Sequence, residues 1–319
     1  MKMVIDTDTG SDDAVALMLA LGNPSVEVLA ITTVAGNVPL PLATKNAITT
    51  AFVMGSSVPV YSGHDAPLMR DLGTAQNVHG EDGMGGAPIP QNIPAPDGTN
   101  AVQQIIELGK KFPGEITLVT LGPLTNIAAA LIQDPLTLSR YKKIYLMAGS
   151  PEGWGNVTAG AEFNIWCDPE SFKIVMRCGT PVVLVGWNIS RLFAVIGDAE
   201  KEELQKIGTA RAAFTIDINK DVEIFCRTVT NLDGFDLPDP ITMTVAIDPS
   251  MITESEQVHV DVSCAEETRG TLILDRRQSA KQANAEVIWA VDRSKFLNQL
   301  YEMCKDPSNP AGYKGVNFA

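Results

Sequence analysis

Histidine is scarce in this chain: His64, His79 and His259 are the only three among 319 residues. They are widely separated, so no cluster has zinc-ligand spacing. Cysteine is little commoner. Cys167, Cys178, Cys226, Cys264 and Cys304 are odd in number and form no Cys-x-x-Cys. That pattern argues against a disulfide framework and points to reduced thiols and a cytoplasmic setting. Positive charge is also short: 24 Lys and Arg against 38 Asp and Glu leave a formal net charge of −14. A nucleic acid partner would be repelled by such a surface. No apolar run approaches the ~20 residues of a membrane span, which argues against a membrane partner. The first residues are strand-forming and not a basic-then-apolar signal. Internal repeats, low-complexity linkers and sharp composition changes are missing as well. One domain over 1–305 with a weakly ordered tail over 306–319 is the expectation.

What is present is a chain that is 45% hydrophobic, enough for a substantial core. Apolar β-rich runs at 3–5, 26–34, 58–61, 115–121, 143–147 and 181–185 alternate with helical patterns at 14–21, 42–54, 100–111 and 168–177. This alternation predicts an α/β fold with an open, mostly parallel sheet covered by helices on both faces. The C-terminal third adds helices at 200–207, 211–225 and 293–304. It also adds a small antiparallel pair at 258–262 and 271–274, and a strand at 286–291. The stretch 63–98 is rich in Gly, Pro, Asn and Asp, and reads as a mobile lid.

Chemistry concentrates at the start. Asp6, Asp8, Asp12 and Asp13 fall within eight residues, after the apolar Met3-Val4-Ile5 and before the apolar stretch from Ala14 to Leu21. The pattern reads as strand, tight turn at Gly10 and helix. Asp6 and Asp8 would share one strand face, and Asp12 and Asp13 would sit at the helix start, where Asp12 alone reads as an N-cap. Like charges ~5 Å apart at an effective dielectric of ~20 repel by ~3 kcal/mol. Such a group persists when a cation offsets it or one member holds a proton. All-oxygen ligands suit Ca²⁺ or Mg²⁺ rather than zinc. The carboxyl end of a strand is also where open α/β sheets bind ligands. Further polar residues mark later strand ends: Asn37, the Leu121 carbonyl, Asn156, Glu162, Asn164, Asp236 and Asp239. Taken singly each reads as a turn or cap residue; together they suit a ligand with many hydroxyls, such as a sugar.

The opening Asp6-Thr7-Asp8-x-Gly10-x-Asp12-Asp13 resembles the signature of the calcium-dependent, inosine–uridine-preferring nucleoside hydrolases. The likeness continues in order through Val34-Ala35-Gly36-Asn37, Val78-His79-Gly80, Gly122-x-Leu124-Thr125-Asn126, Ala161-Glu162-Phe163-Asn164 and Asp239-Pro240. It implies a Rossmann-like sheet and cleavage of the N-glycosidic bond of ribonucleosides to ribose and free base. One Ca²⁺ held by Asp8, Asp13, the Leu121 carbonyl and Asp239 is implied, with Asp6 as a supporting carboxylate. Asp12, Asn37, Asn156, Glu162 and Asn164 would hold the ribose hydroxyls, and Asp8 would be the general base. A homodimer or homotetramer is implied too. One departure stands out: many relatives carry a His immediately before the last Asp, placed to help the leaving base, and this chain has Pro238. His79 is the remaining candidate for that task, and Trp154, Trp166, Trp187 and Phe235 are candidates to stack on a base. A purine or modified purine is the expected base, because a purine can depart by ring-nitrogen protonation.

Two other readings compete. Asp6-x-Asp8 also matches the opening of haloacid-dehalogenase-like phosphatases, which would leave Asp12, Asp13, Asn37 and Glu162 unexplained. A nucleoside sensor that kept the pocket and lost the leaving-group acid fits Pro238, but has no need of a water-activating Asp8.

Overall fold

The computed structural model of the chain describes residues 1–90 and 93–315. β1 (Lys2–Thr7) leads into α1 (Ser11–Gly22), β2 (Glu27–Thr33) into α2 (Leu40–Val53), and β3 (Val60–Ser62) into the short α3 (Gln76–His79) and α4 (Ala101–Lys111). β4 (Ile116–Thr120) precedes α5 (Thr125–Gln133), β5 (Lys143–Met147) precedes α6 (Phe163–Cys167) and α7 (Pro169–Met176), and β6 (Val182–Val185) precedes α8 (Trp187–Phe193). β7 (Val195–Ile196) and β8 (Phe235–Asp236) pair as a ribbon that brackets α9 (Asp198–Ile207), α10 (Ala210–Ile218) and α11 (Lys220–Phe225). The chain then runs through α12 (Pro238–Ile247), β9 (Ile252–Val262), β10 (Leu272–Asp275), β11 (Ala285–Val291) and α13 (Arg293–Lys305).

The main sheet has the order β10-β9-β11-β6-β5-β4-β1-β2-β3. From β3 across to β11 every pairing is parallel. Alternation along each strand divides the core into two layers. Met3 and Ile5 join α1, α2, α12 and α13 on one face. Val4 joins α4, α5 and α7 on the other. The expected doubly covered α/β sheet is therefore present. β2 and β4 flank β1 on opposite sides, so the direction of winding reverses there and the loops leaving the three strands diverge into a crevice.

Several expectations need correction. The expected antiparallel pair is present as β9 and β10; what the sequence did not foresee is that β9 also pairs with β11, so the pair extends the main sheet. The helix expected over 211–225 breaks at Asn219, whose Nδ2 donates back to the Thr215 carbonyl at 2.9 Å. After α11 a π-helical turn over Cys226–Thr230 ends at Asn231, with φ 56°. The glycine-rich stretch expected as a lid is packed along 76–87, where His79 and Met84 are buried. Its glycines answer to backbone shape and close approach: Gly85 has φ +59°, and a Cβ there would stand 2.7 Å from the Ile218 carbonyl oxygen. Gln91 and Asn92, in the same stretch, lie outside the described residues.

The tail is anchored at least as far as Tyr313. That ring meets Phe214 edge-on at 5.0 Å, and its hydroxyl donates to Asp217 at 2.6 Å. Residues 316–319 lie outside the described residues. Among the described residues no helix is long and apolar enough to cross a membrane. Tyr313→Ala empties a buried site and should lower stability by about 3 kcal/mol; urea unfolding of the two proteins measures the difference.

Candidate active site

The turn after β1 places its carboxylates by a chain of local constraints. β1 ends at Thr7, so Asp8 stands beyond the strand. The N-cap of α1 is Gly10, and the residue that caps is Asp13, not Asp12: its Oδ2 accepts the Gly10 amide at 2.9 Å. Asp13 also accepts Thr7 Oγ1 at 2.6 Å and Asn37 Nδ2 at 3.0 Å. Asp12 is thereby free of capping duty, and its Oδ1 has no hydrogen-bond partner. Asp8 accepts the Asn37 amide through Oδ2 at 2.6 Å, while its Oδ1 also lacks a partner. Asp239, in the first turn of α12, is the third buried carboxylate with an unpartnered Oδ1. Asp6 lies deeper, where Thr32 Oγ1 and Asn126 Nδ2 donate to its Oδ1 at 2.5 and 2.8 Å.

Two glycines make room for Asp8. A Cβ at Gly36 would lie 2.1 Å from Asp8 Oδ2, and one at Gly122 would lie 2.7 Å from Oδ1. The carboxylate is thus cradled between the backbones that leave β2 and β4.

Burial dominates the electrostatics. It pushes Asp8 and Asp239 well above the usual carboxylate range, with the charge of Asp13 adding to both. Burial, with Asp236 next, raises Asp12 to about 7. Burial and Asp12 together raise Asp13 to about 6, against the bonds from Thr7 and Gly10. Burial alone carries Asp6 to about 7. Carboxylates held this way favour either protons or a cation in their midst. Oxygens of Asp12, Asp13 and Asp239 lie within 4.8 Å of one another and could hold a metal ion. Asp12, expected at the sugar, thus belongs to the tightest group, and Asp8 stands beside it. The unpartnered oxygens, the all-oxygen donor set and the glycine cradle fit a hard divalent cation.

The remaining expected residues line the same cleft. The Leu121 carbonyl accepts Asn164 Nδ2 at 2.7 Å and keeps a second lone pair. Glu162 caps α6: it accepts from the amides of Asn164 and Gly149, both at 2.7 Å, and burial raises its pKa. Asn156 Oδ1 accepts the Phe163 amide at 2.9 Å. Both are therefore cap or loop residues and cleft walls at once. His79 lines the cleft with Nδ1 2.9 Å from Ser11 Oγ and 3.6 Å from Asp12 Oδ1. Burial lowers it to about 4, which favours the neutral ring, with one N–H donor and one acceptor nitrogen, over the imidazolium acid near pH 7.

Of the four aromatic candidates, Trp187 lines the cleft. Phe235 is core, Trp154 is exposed against Arg191, and Trp166 stacks with Phe163 and Arg269. The structure adds wall residues not singled out in the sequence, notably Phe225, Cys226 and Thr230. They follow α9 and α10 in an insertion whose helical pattern gives no sign of which face meets the cleft. Asp236 lines the cleft too.

Residues 3–298 match the family model described as inosine-uridine preferring nucleoside hydrolase. The chain is 37% identical over 301 residues to a protein of that name from Leishmania major, covering 92% of this chain and 94% of that protein. It is 34% identical over 304 residues to a pyrimidine-specific ribonucleoside hydrolase from Shewanella sp. (strain ANA-3), covering 94% and 95%. The solved structure of a purine-preferring ribonucleoside hydrolase from Gardnerella vaginalis has a TM-score of 0.88 at 31% identity, covering 96% of this chain and 99% of that one.

Gly36→Ala should displace the Asp8 carboxylate and weaken divalent-cation binding by about 10- to 100-fold. Titration calorimetry, with circular dichroism as the control for folding, reads this out.

Proposed function

The chain belongs to the inosine-uridine preferring nucleoside hydrolase family and is an N-ribosyl hydrolase of ribonucleosides; on that premise we propose that it works with Ca²⁺ and prefers purine nucleosides, plain or modified. The observation that carries this reading is the cluster of buried carboxylates beside the cleft: oxygens of Asp12, Asp13 and Asp239 lie within 4.8 Å of one another, and Asp8, Asp12 and Asp239 each keep an oxygen with no hydrogen-bond partner. Asp8, Asp13, Asp239 and the Leu121 carbonyl hold the ion. When bound it supplies positive charge that makes water easier to deprotonate.

Asp8 is the general base, since its Oδ1 is free to take a proton while Oδ2 is fixed by Asn37. The free Oδ1 of Asp12 accepts from a ribose hydroxyl, and Asn37, Asn156, Glu162 and Asn164 complete the sugar contacts. These carboxylates and amide oxygens also face the ribosyl group as it becomes positive at C1′ and the ring oxygen. His79 contributes hydrogen bonding as a neutral ring. At the other end, Val78, Phe163, Trp187 and Phe225 offer an apolar and aromatic wall to a flat base. Support for a purine comes from the two aromatic rings in this wall beyond Val78 and Phe163, those of Trp187 and Phe225.

The cleft lining contains no Lys or Arg and four carboxylates, Asp12, Glu162, Asp236 and Asp239. A 5′-phosphate would meet repulsion there with no basic side chain to pair with, so nucleosides and not nucleotides are the substrates.

With Ca²⁺ present, ribose should be released from purine nucleosides, and Asp8→Asn should lower kcat by about 10²- to 10⁴-fold. Assays of reducing sugar on a panel of nucleosides test both points; an Asp8→Asn enzyme with undiminished turnover would remove Asp8 from its role. The 5′-phosphorylated counterparts should show kcat/KM lower by about 100-fold.

A further inference from the structure

The base end of the cleft carries a negative charge and offers no acid. Asp236 lines it, and three donors converge on its carboxylate: Trp187 Nε1 and Ser190 Oγ on Oδ2, each at 2.8 Å, and Cys226 Sγ on Oδ1 at 3.1 Å. A carboxylate has about four lone-pair directions, so one on Oδ1 remains to face the cleft. Pro238, two residues on, has no proton to donate. The Cys226 thiol already gives its hydrogen to Asp236. His79 is tied to Ser11 beside Asp12, at the carboxylate end. No Lys, Arg or Tyr lines the cleft. The nearby Arg191 is paired with Glu152 and stacked on Trp154, and its guanidinium also lies over the Trp187 ring at 5.0 Å from the centroid, within the field of Asp236.

This matters because of where the electrons go. When the C1′–N bond of a neutral nucleoside breaks, its electron pair leaves the base as an anion unless a proton arrives. When the base is already a cation, the same pair cancels its charge and the base departs neutral. Water oxygen then joins C1′, and its proton passes to Asp8 and on to solvent. Building on the hydrolase reading, we propose that the preferred substrates are ribonucleosides whose base is a ring cation, such as a 7-alkylpurine or an N-ribosylpyridinium. Asp236 is the counter-charge, and Phe225 together with the face of Trp187 not covered by Arg191 receives the cationic ring. The attraction to Asp236 fades as the base becomes neutral, so its effect falls on binding and not on bond breaking.

The test compares 7-methylguanosine with guanosine, with Ca²⁺ present and ribose release as the readout. The native enzyme should favour 7-methylguanosine in kcat/KM by about 10²-fold or more, the worth of the missing acid. Because the methylated base is intrinsically the better leaving group, Pro238→His supplies the control. A restored acid should raise kcat for guanosine by about 10²-fold and leave kcat for 7-methylguanosine nearly unchanged. Asp236→Asn should raise KM for 7-methylguanosine about tenfold more than KM for guanosine, a split that a merely structural bond would not produce. Guanosine cleaved as readily as 7-methylguanosine, or Pro238→His accelerating both alike, would overturn the proposal and leave the hydrolase standing. Absence of ribose from every nucleoside, with Ca²⁺ binding confirmed by calorimetry, would instead remove the hydrolase reading and this one with it.

Discussion

Five buried carboxylates around the end of β1 are the constraint on which the rest of this structure depends. Asp6, Asp8, Asp12, Asp13 and Asp239 are all nearly or wholly removed from solvent. Desolvated charges of one sign are costly, and neutral donors offset only part of that cost. Here the donors are Thr7, Thr32, Asn37, Asn126 and the Gly10 amide, each brought in by a different element. They give partners to both oxygens of Asp13 and to one oxygen of Asp6. They leave one oxygen on each of Asp6, Asp8, Asp12 and Asp239 without a hydrogen-bond partner. Neutral groups complete the outer frame, and the oxygens of the inner frame suit a hard cation.

Sheet topology is what gathers these donors. With β2 and β4 on either side of β1, the loops after all three strands meet at one end. Asn37 arrives from the first loop, Leu121 from the second, and Gly36 and Gly122 from both, so the Asp8 carboxylate fits between two bare backbones. The loops after β5 and β6 continue the wall with Asn156, Glu162, Asn164 and Trp187. The cleft thus has two ends of different origin. The carboxylate end comes mainly from successive β-α turns. The base end draws on the insertion after β6, where α8, the π-helical turn and β8 meet at Asp236. The relatives' names span pyrimidine-specific and purine-preferring enzymes. A base end assembled separately from the metal end permits such variety without disturbing the chemistry.

Much of this was legible in one dimension. Strand and helix periodicity located β1, β2, β4, β5 and β6 to within a residue or two, because buried parallel strands are short apolar runs between helices. The expected site residues also converge, since residues at strand carboxyl ends share one edge of a parallel sheet. Packing decided what periodicity could not. The glycines of 80–86 looked like flexibility, yet Gly83 and Gly85 proved to be close approaches to Asn46 of α2 and to the Ile218 carbonyl of α10. The run 211–225 looked like one helix, yet Asn219 turns its side chain back onto the helix and divides it.

From residue order alone follow the α/β class, the carboxylate-rich turn, the Pro238 departure and the family likeness, because each is a property of local pattern. Tertiary structure alone decided that Asp13 caps α1 and frees Asp12, that Trp187 and not Trp154 or Trp166 meets the cleft, and that Asp236 lines the cleft. Those outcomes turn on which side chains compete for the same buried donors, and that competition exists only once distant segments are packed together.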